Sequence, residues 1–269
     1  GASAGAICGP LLIILLAKSM SVDNILLVTS VVLISTLPLI AILNRHFDKK
    51  ETEGQRAVTL SSNPFTGFQE LLTHKRLLGI ALFIFLFTGI SAFLYSTQKE
   101  LLIEYSRVER KQLLGSVELA TNILTIIIGI FATNRIARKF GMATTLSLVP
   151  FVVGFLLLLL SANPAIMLVL ALQVARRAGN YAITRPAREI LFTAVDREAR
   201  FKTKPFIDVA VYRGGDVFWI WLIAFLGDGW LDLGLAPLLW VAAAVAVAWG
   251  CVGLYLGRMH DADEQDKEV

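Results

Sequence analysis

Long uninterrupted apolar runs set the pattern of the chain. Gly1–Ala17, Ile25–Leu43, Leu77–Gln98, Phe140–Ala162 and Leu233–Gly257 contain no Asp, Glu, Lys or Arg. Three more runs are almost as apolar: Leu113–Asn134 carries one acid, Pro164–Ile183 two arginines and Pro205–Gly227 three charges. A helix needs roughly 20 apolar residues to cross the hydrocarbon core, so these runs predict eight membrane-crossing helices. Barrel strands would show about 10 residues of alternating character, and none of the runs alternates. The predicted fold class is an all-α polytopic membrane protein with eight transmembrane helices.

Between the runs the chain is short and polar. Residues 48–64 (DKKETEGQRAVTLSSNP) hold charges and turn formers and predict a linker. Just after it Phe65, Phe68, Leu71 and Leu72 fall at i, i+3, i+6 and i+7, the spacing of a short amphipathic helix lying at a membrane interface. Basic residues give the orientation. The connections 44–76, 134–139 and 184–204 and the tail from Arg258 hold seventeen Lys and Arg, against five in the opposite connections (Lys18, Lys99, Arg107, Arg110, Lys111). The positive-inside rule then places the first group, and with it the C-terminus, in the cytoplasm.

Composition agrees with the pattern. Of 269 residues 56% are hydrophobic and 17% charged, against about 25% charged in a soluble domain. That excludes a soluble enzyme domain, a disordered chain and a secreted disulfide scaffold. The net charge of +4 follows from the loop asymmetry and is no nucleic-acid footprint. Cys8 and Cys251 lie in apolar runs without metal or redox spacing, and His46, His74 and His260 all fall outside the runs. Gly1-Ala2-Ser3-Ala4-Gly5 matches G-x-S-x-G, but that elbow needs a strand-to-helix turn and a nearby His, and here the Ser opens an apolar helix. No phosphate loop or dinucleotide fingerprint occurs. The expectation is no enzyme, no cofactor and no metal.

Candidate chemistry therefore lies in polar residues within the runs, which are costly there and mark solute or ion paths. In the run 205–227, Asp208, Tyr212, Gly215, Asp216 and Trp219 follow i, i+4, i+7, i+8 and i+11 and share a face. Arg213 lies about 100° round from Tyr212 and reaches Asp216 at i+3; both sit roughly 12–17 Å from the cytoplasmic end, close to the midplane. A structural pair stapling two helices, with Gly214 and Gly215 allowing close packing, stands beside a gating or solute-site role. In the run 164–183, Gln173 with Arg177 and Arg176 with Asn180 are i, i+4 pairs. Adjacent arginines cannot face the same way, so one is expected inward and one snorkelling to the headgroups. An inward Arg near Arg213 would favour an anionic solute, because guanidinium binds carboxylate or phosphate bidentately. In the run 113–134, Gly115, Glu118, Asn122, Thr125 and Gly129 form a small, polar stripe. Glu118 is either a protonatable coupling residue or the partner of a buried Arg, and the stripe is equally suited to helix–helix packing.

Six runs after a basic linker resemble the second half of a major facilitator superfamily transporter, whose two six-helix halves are joined by a cytoplasmic loop. GASAGAICGP (Gly1, Gly5, Gly9, Pro10) is similar to the glycine–proline motif of that family's fifth helix, often seen in antiporters. Asn134–Gly141 (NRIARKFG) resembles the basic loop between helices eight and nine, without its leading Gly and acid. The resemblance implies that 1–44 are the last two helices of an N-terminal half, 45–76 the cytoplasmic linker, 77–257 a complete C-terminal half and 258–269 a cytoplasmic tail. The chain starts without Met inside an apolar segment, so four helices of the same protein are expected upstream. A narrower resemblance covers Ile183–Asp216 (ITRPAREILFTAVDREARFKTKPFIDVAVYRGGD), which is similar to bacterial ATP/ADP translocase-like transporters. It implies exchange of nucleotides or another anion across a bacterial inner membrane.

The expected function is secondary active transport of a small anionic solute, nucleotides included, by two half-bundles rocking around a midplane site. The expected partners are that solute and the lipid bilayer, with no nucleic acid. Arg213, Asp216, Arg176, Arg177, Asn180, Tyr212, Glu118, Asn122 and Asp208 are the candidate solute-binding or coupling residues. A lipid translocase or membrane enzyme, and a non-transporting receptor or scaffold of the same fold, are the alternatives.

Overall fold

A computed structural model of the protein describes residues 7, 9–11, 14–15, 22–47, 66–131 and 133–268. Among them no strand occurs. The elements are α1 (Val22–Phe47), α2 (Thr66–Thr73), α3 (Lys75–Leu101), α4 (Arg107–Phe131), α5 (Thr133–Ala162), α6 (Ile166–Gly179), α7 (Arg185–Thr193), α8 (Arg197–Phe206), α9 (Tyr212–Ala224) and α10 (Leu235–Glu268). A π-helical turn at Asn180–Thr184 joins α6 to α7 in one rod. Further π turns at Ile207–Val211 and Phe225–Gly229 join α8 to α9 and extend it.

Five described segments are long and apolar enough to cross a membrane: Lys75–Leu101, Arg107–Phe131, Lys139–Ala162, Glu198–Gly227 and Leu235–Asp266. Eight runs were expected, and one of the others is interrupted by polar residues. The α6–α7 rod carries Gln173, Arg176, Arg177 and Asn180 in its apolar half. The second run lies in α1, a helix of 26 residues, and most of the first run, with Cys8, lies outside the described residues, as do the linker 48–64 and Phe65. The amphipathic helix expected after the linker is α2. It buries Leu71, leaves Phe68 and Leu72 exposed, and sets the Phe68 ring 5.8 Å from that of Phe206 on α8.

The core forms where α10 packs along α5 and α3, α9 against α3, and α6 against α4 and α5. Leu146, Leu157, Leu160, Leu172 and Trp249 are fully buried there. The Trp249 ring lies 5.4 Å from Phe83 and 5.6 Å from Phe87. Helices in lipid gain little from hydrophobic burial against one another, so close backbone approach through small residues decides their pairing. Gly89 and Gly215 supply it between α3 and α9. A methyl group on Gly89 would stand 2.6 Å from the Trp219 ring, and one on Gly215 would overlap the Thr88 hydroxyl. Trp219 Nε1 then donates to the Phe85 carbonyl at 2.8 Å.

α5 is broken at Gly141, whose φ of 76° lies in the left-handed region. The break leaves the amides of Met142 and Ala143 without helical acceptors. Asp261, in the last turns of α10, accepts from both, at 3.0 and 3.3 Å. At the same end buried Arg76 donates to Asp263 and, at 3.3 Å, to the Ala194 carbonyl. His260, expected in a loop, is buried in the continuing helix.

Candidate functional site

The adjacent arginines of α6 meet different fates, because a step of about 100° points them at different neighbours. Arg176 faces α3 and is 8% exposed. Its Nη1 donates to Ser91 Oγ at 2.6 Å and its Nη2 to Gln173 Oε1 at 2.9 Å. Gln173 Nε2 in turn donates to Gln98 Oε1 at 2.8 Å. The guanidinium carbon lies 5.5 Å from the Phe87 ring centroid, and Nε has no partner. Among the described residues no carboxylate pairs with Arg176: each acceptor it finds is neutral.

Arg177 faces α4 and is partly exposed. It forms a two-pronged bond with Glu118, Nη1 to Oε1 at 2.5 Å and Nη2 to Oε2 at 2.8 Å. Glu118 is thus the partner of an arginine, the second of its two expected roles. Asn122, one turn along α4, is half-buried. The expected pairing of Gln173 with Arg177 gives way to Gln173 with Arg176, one residue closer.

Residues from the run 205–227 are spread over different surroundings. Gly215 and Trp219 take the side of α9 that faces α3. Tyr212 is half-buried, its ring centroid 6.3 Å from that of Phe87, and so borders the Arg176 cluster. Arg213 is two residues from Gly215, about 200° round the helix, and its side chain is 78% exposed. It lies 3.4 Å from Asp216 on the same helix. The pair lies within one helix rather than stapling two, and exposed Arg213 does not stand beside buried Arg176. The π turn at Ile207–Val211 separates Asp208 from this set, and Asp208 Oδ1 stands 3.6 Å from Arg188 Nη2 instead.

Ser91, Gln98 and Phe87 of α3 complete the cluster. Ser91 and Gln98 are seven residues apart, hence on one face of an otherwise apolar helix, and that spacing was the available signal. Arg188, with a side chain 15% exposed, and buried Thr184 continue the polar side of the α6–α7 rod. Gln173, Arg176, Asn180, Thr184 and Arg188 are three and then four residues apart.

Apolar helices long enough to span a bilayer, packed around a buried arginine, define a polytopic membrane protein. Residues 1–187 match the Major Facilitator Superfamily. The chain belongs to that superfamily and is a membrane transporter. No curated protein and no solved structure matches it.

Proposed function

We propose that the protein is a secondary active transporter of a small anionic solute, working by alternating access, with Arg176 as its anion-binding group. One observation carries this reading. Arg176 is buried with only neutral oxygens as acceptors and a free Nε, while its neighbour Arg177 is neutralised by Glu118. A buried charge without a countercharge is strongly disfavoured, and an anionic solute supplies the countercharge for part of the transport cycle. Planar guanidinium suits carboxylate or phosphate, each of which accepts two parallel N–H bonds. Tyr212 and Asn180 border the same path and are the next candidates for solute contact; Arg213, Asp216, Asp208 and Asn122 stand further from Arg176 in role, as gating or coupling groups. The likeness of Ile183–Asp216 to ATP/ADP translocase-like proteins supports nucleotides as the solute and exchange as the mode. The basic asymmetry of the loops supports a cytoplasmic C-terminus in a bacterial inner membrane.

The test is uptake by cells expressing the protein, with labelled ATP, inorganic phosphate and small carboxylates, each also in counterflow against internal ADP or unlabelled solute. Arg176→Lys should keep expression and lose at least tenfold in apparent affinity, because an ammonium cannot reproduce the fork. Arg176→Gln should abolish uptake. Uptake confined to neutral or cationic solutes, or anion uptake unchanged in Arg176→Gln, overturns the reading.

A further inference from the structure

Between the first turns of α3 and the last turns of α10 lies a groove of about 410 Å³. Lys75, Leu78 and Leu82, at i, i+3 and i+7 on α3, form one wall; Cys251 and Tyr255, at i and i+4 on α10, form the other. At its floor the two helices touch: a methyl group on Gly79 would stand 2.7 Å from Leu256 Cδ2. The groove is open along its length, since Leu78, Leu82, Cys251 and Tyr255 are all exposed. In a membrane-spanning bundle, that opening faces hydrocarbon.

Polarity is divided along the groove. At 1.5 Å per residue Leu82 lies about 10 Å further into its helix than Lys75, and Cys251 about 10 Å further in than Arg258. Exposed Lys75 and Arg258 therefore mark the same end, and the deeper part is apolar. Tyr255 sits near the boundary, an amphipathic ring of the kind found at headgroup level. No acid lines the groove, and among the described residues neither Lys75 nor Arg258 is in an ion pair. The acids that follow on α10 are turned elsewhere. Asp261 caps the break in α5, Asp263 accepts from Arg76, and Glu264 is about 240° round the helix from Arg258. A neutral lipid would leave both cations without a countercharge, and a soluble anion would leave the apolar trough unused.

We propose that this groove binds one anionic phospholipid of the adjoining leaflet, its headgroup phosphate at Lys75 and Arg258 and the start of an acyl chain against Leu78, Leu82 and Cys251. Basic sites between helices at a membrane surface attract anionic headgroups in this way. The proposal does not rest on the reading of Arg176 as the solute-binding group.

Native mass spectrometry tests this on the purified full chain in neutral detergent, titrated with phosphatidylglycerol or with phosphatidylcholine of the same acyl chains. The expected result is saturable retention of phosphatidylglycerol, at least tenfold tighter than phosphatidylcholine and unaffected by the free glycerophosphoglycerol headgroup. Lys75→Gln with Arg258→Gln should erase that preference. Cys251→Trp fills the trough without touching the cations and should weaken retention at least tenfold. Equal retention of the two lipids, or a preference that survives either variant, overturns the proposal, as does competition by the free headgroup, which would make this a soluble-anion site. A lipid-free dimer that Cys251→Trp dissociates would put a second copy in the groove and also overturns it. If Cys251→Trp does not fold, judged by circular dichroism, maleimide labelling of Cys251 in a Cys8→Ser background decides. Phosphatidylglycerol should slow that reaction at least tenfold more than phosphatidylcholine; equal slowing, or a Cys251 already unreactive without lipid, overturns the proposal.

Discussion

The contact between α10 and α5 depends on three glycines, and Gly257→Ala should break it. A methyl group on Gly253 would meet the Leu146 carbonyl oxygen at 2.9 Å, and one on Gly250 the Phe151 ring at 2.6 Å. Gly257 is tighter still. Its methyl group would overlap Cα and N of Ala143 and stand 2.7 Å from the Met142 carbonyl carbon. Carbon atoms pack at about 3.5–4.0 Å, so the helices would have to part by roughly 1 Å or more, and a gap of 0.5–1 Å already forfeits a quarter to a half of each contact along the seam. A side chain in the way could turn aside; a backbone cannot. Overpacking costs about 1–3 kcal/mol, and here the upper end applies. Parting the helices also draws Asp261 away from the amides of Met142 and Ala143, a cap whose loss adds about 1 kcal/mol. The expected destabilisation is about 3–4 kcal/mol. Equilibrium unfolding in mixed detergent, followed by the fluorescence of the buried Trp249, measures it. Gly214→Ala is the control, since nothing lies within 4 Å of a methyl group there. A Gly257→Ala protein as stable as Gly214→Ala would refute the reasoning and show that the two helices do not approach through this seam.

Glu118→Gln leaves Arg177 half-buried without its carboxylate. Breaking a fully buried pair costs about 3–5 kcal/mol; partial exposure of both side chains lowers the expectation to roughly 1–3 kcal/mol, and Glu118→Gln with Arg177→Gln should recover most of it in thermal melts. Arg213→Gln should cost at most about 1 kcal/mol, because an exposed pair contributes little; loss of folded protein in the same melts would show that Arg213 is buried in the membrane-embedded protein. Single cysteines on a cysteine-free background test the orientation. Thr193→Cys should react with an impermeant maleimide only after the inner face is opened, and Glu104→Cys should react from outside; the reverse pattern would invert the topology.

The apolar runs made the long helices legible, because runs such as Leu77–Gln98 have only one stable form in lipid. Adjacent Arg176 and Arg177 had to diverge, and the i, i+4 arithmetic was enough for that. Their destinations were not legible. Glu118 lies 59 residues from Arg177, and only the packing of α4 on α6 brings them together. The π turns were equally invisible: nothing in Ile207–Val211 announces a wider turn, yet that turn carries Asp208 away from Asp216 and toward Arg188. Arg213 was misplaced for a related reason. Its direction is set by Gly215 and Trp219, which take the side of α9 against α3 and turn Arg213 outward. Arg176 and Arg177 were visible in pairs of polar residues four apart in the run 164–183, although which of them would lack a carboxylate was not.

The stability of the bundle and the proposed transport chemistry would meet in the α6–α7 rod. Gln173, Arg176, Asn180, Thr184 and Arg188 give it a continuous polar side. A sequence selected for stability alone would replace Arg176 by an apolar residue, since buried charges are often more costly than well-packed hydrophobic substitutes. Glu118 already neutralises Arg177, so the chain has the means to cancel a charge where cancelling it is useful. Leaving Arg176 with serine and glutamine as its only acceptors keeps it weakly held, and a weakly held guanidinium exchanges its partners readily. A ligand that binds the folded state stabilises it by its own binding free energy, so an anion at Arg176 would raise the unfolding midpoint in proportion to the logarithm of its concentration. Neutral solutes gain nothing from that charge. On the proposed function, the charge that makes the empty bundle less stable would be the same one that discriminates between solutes.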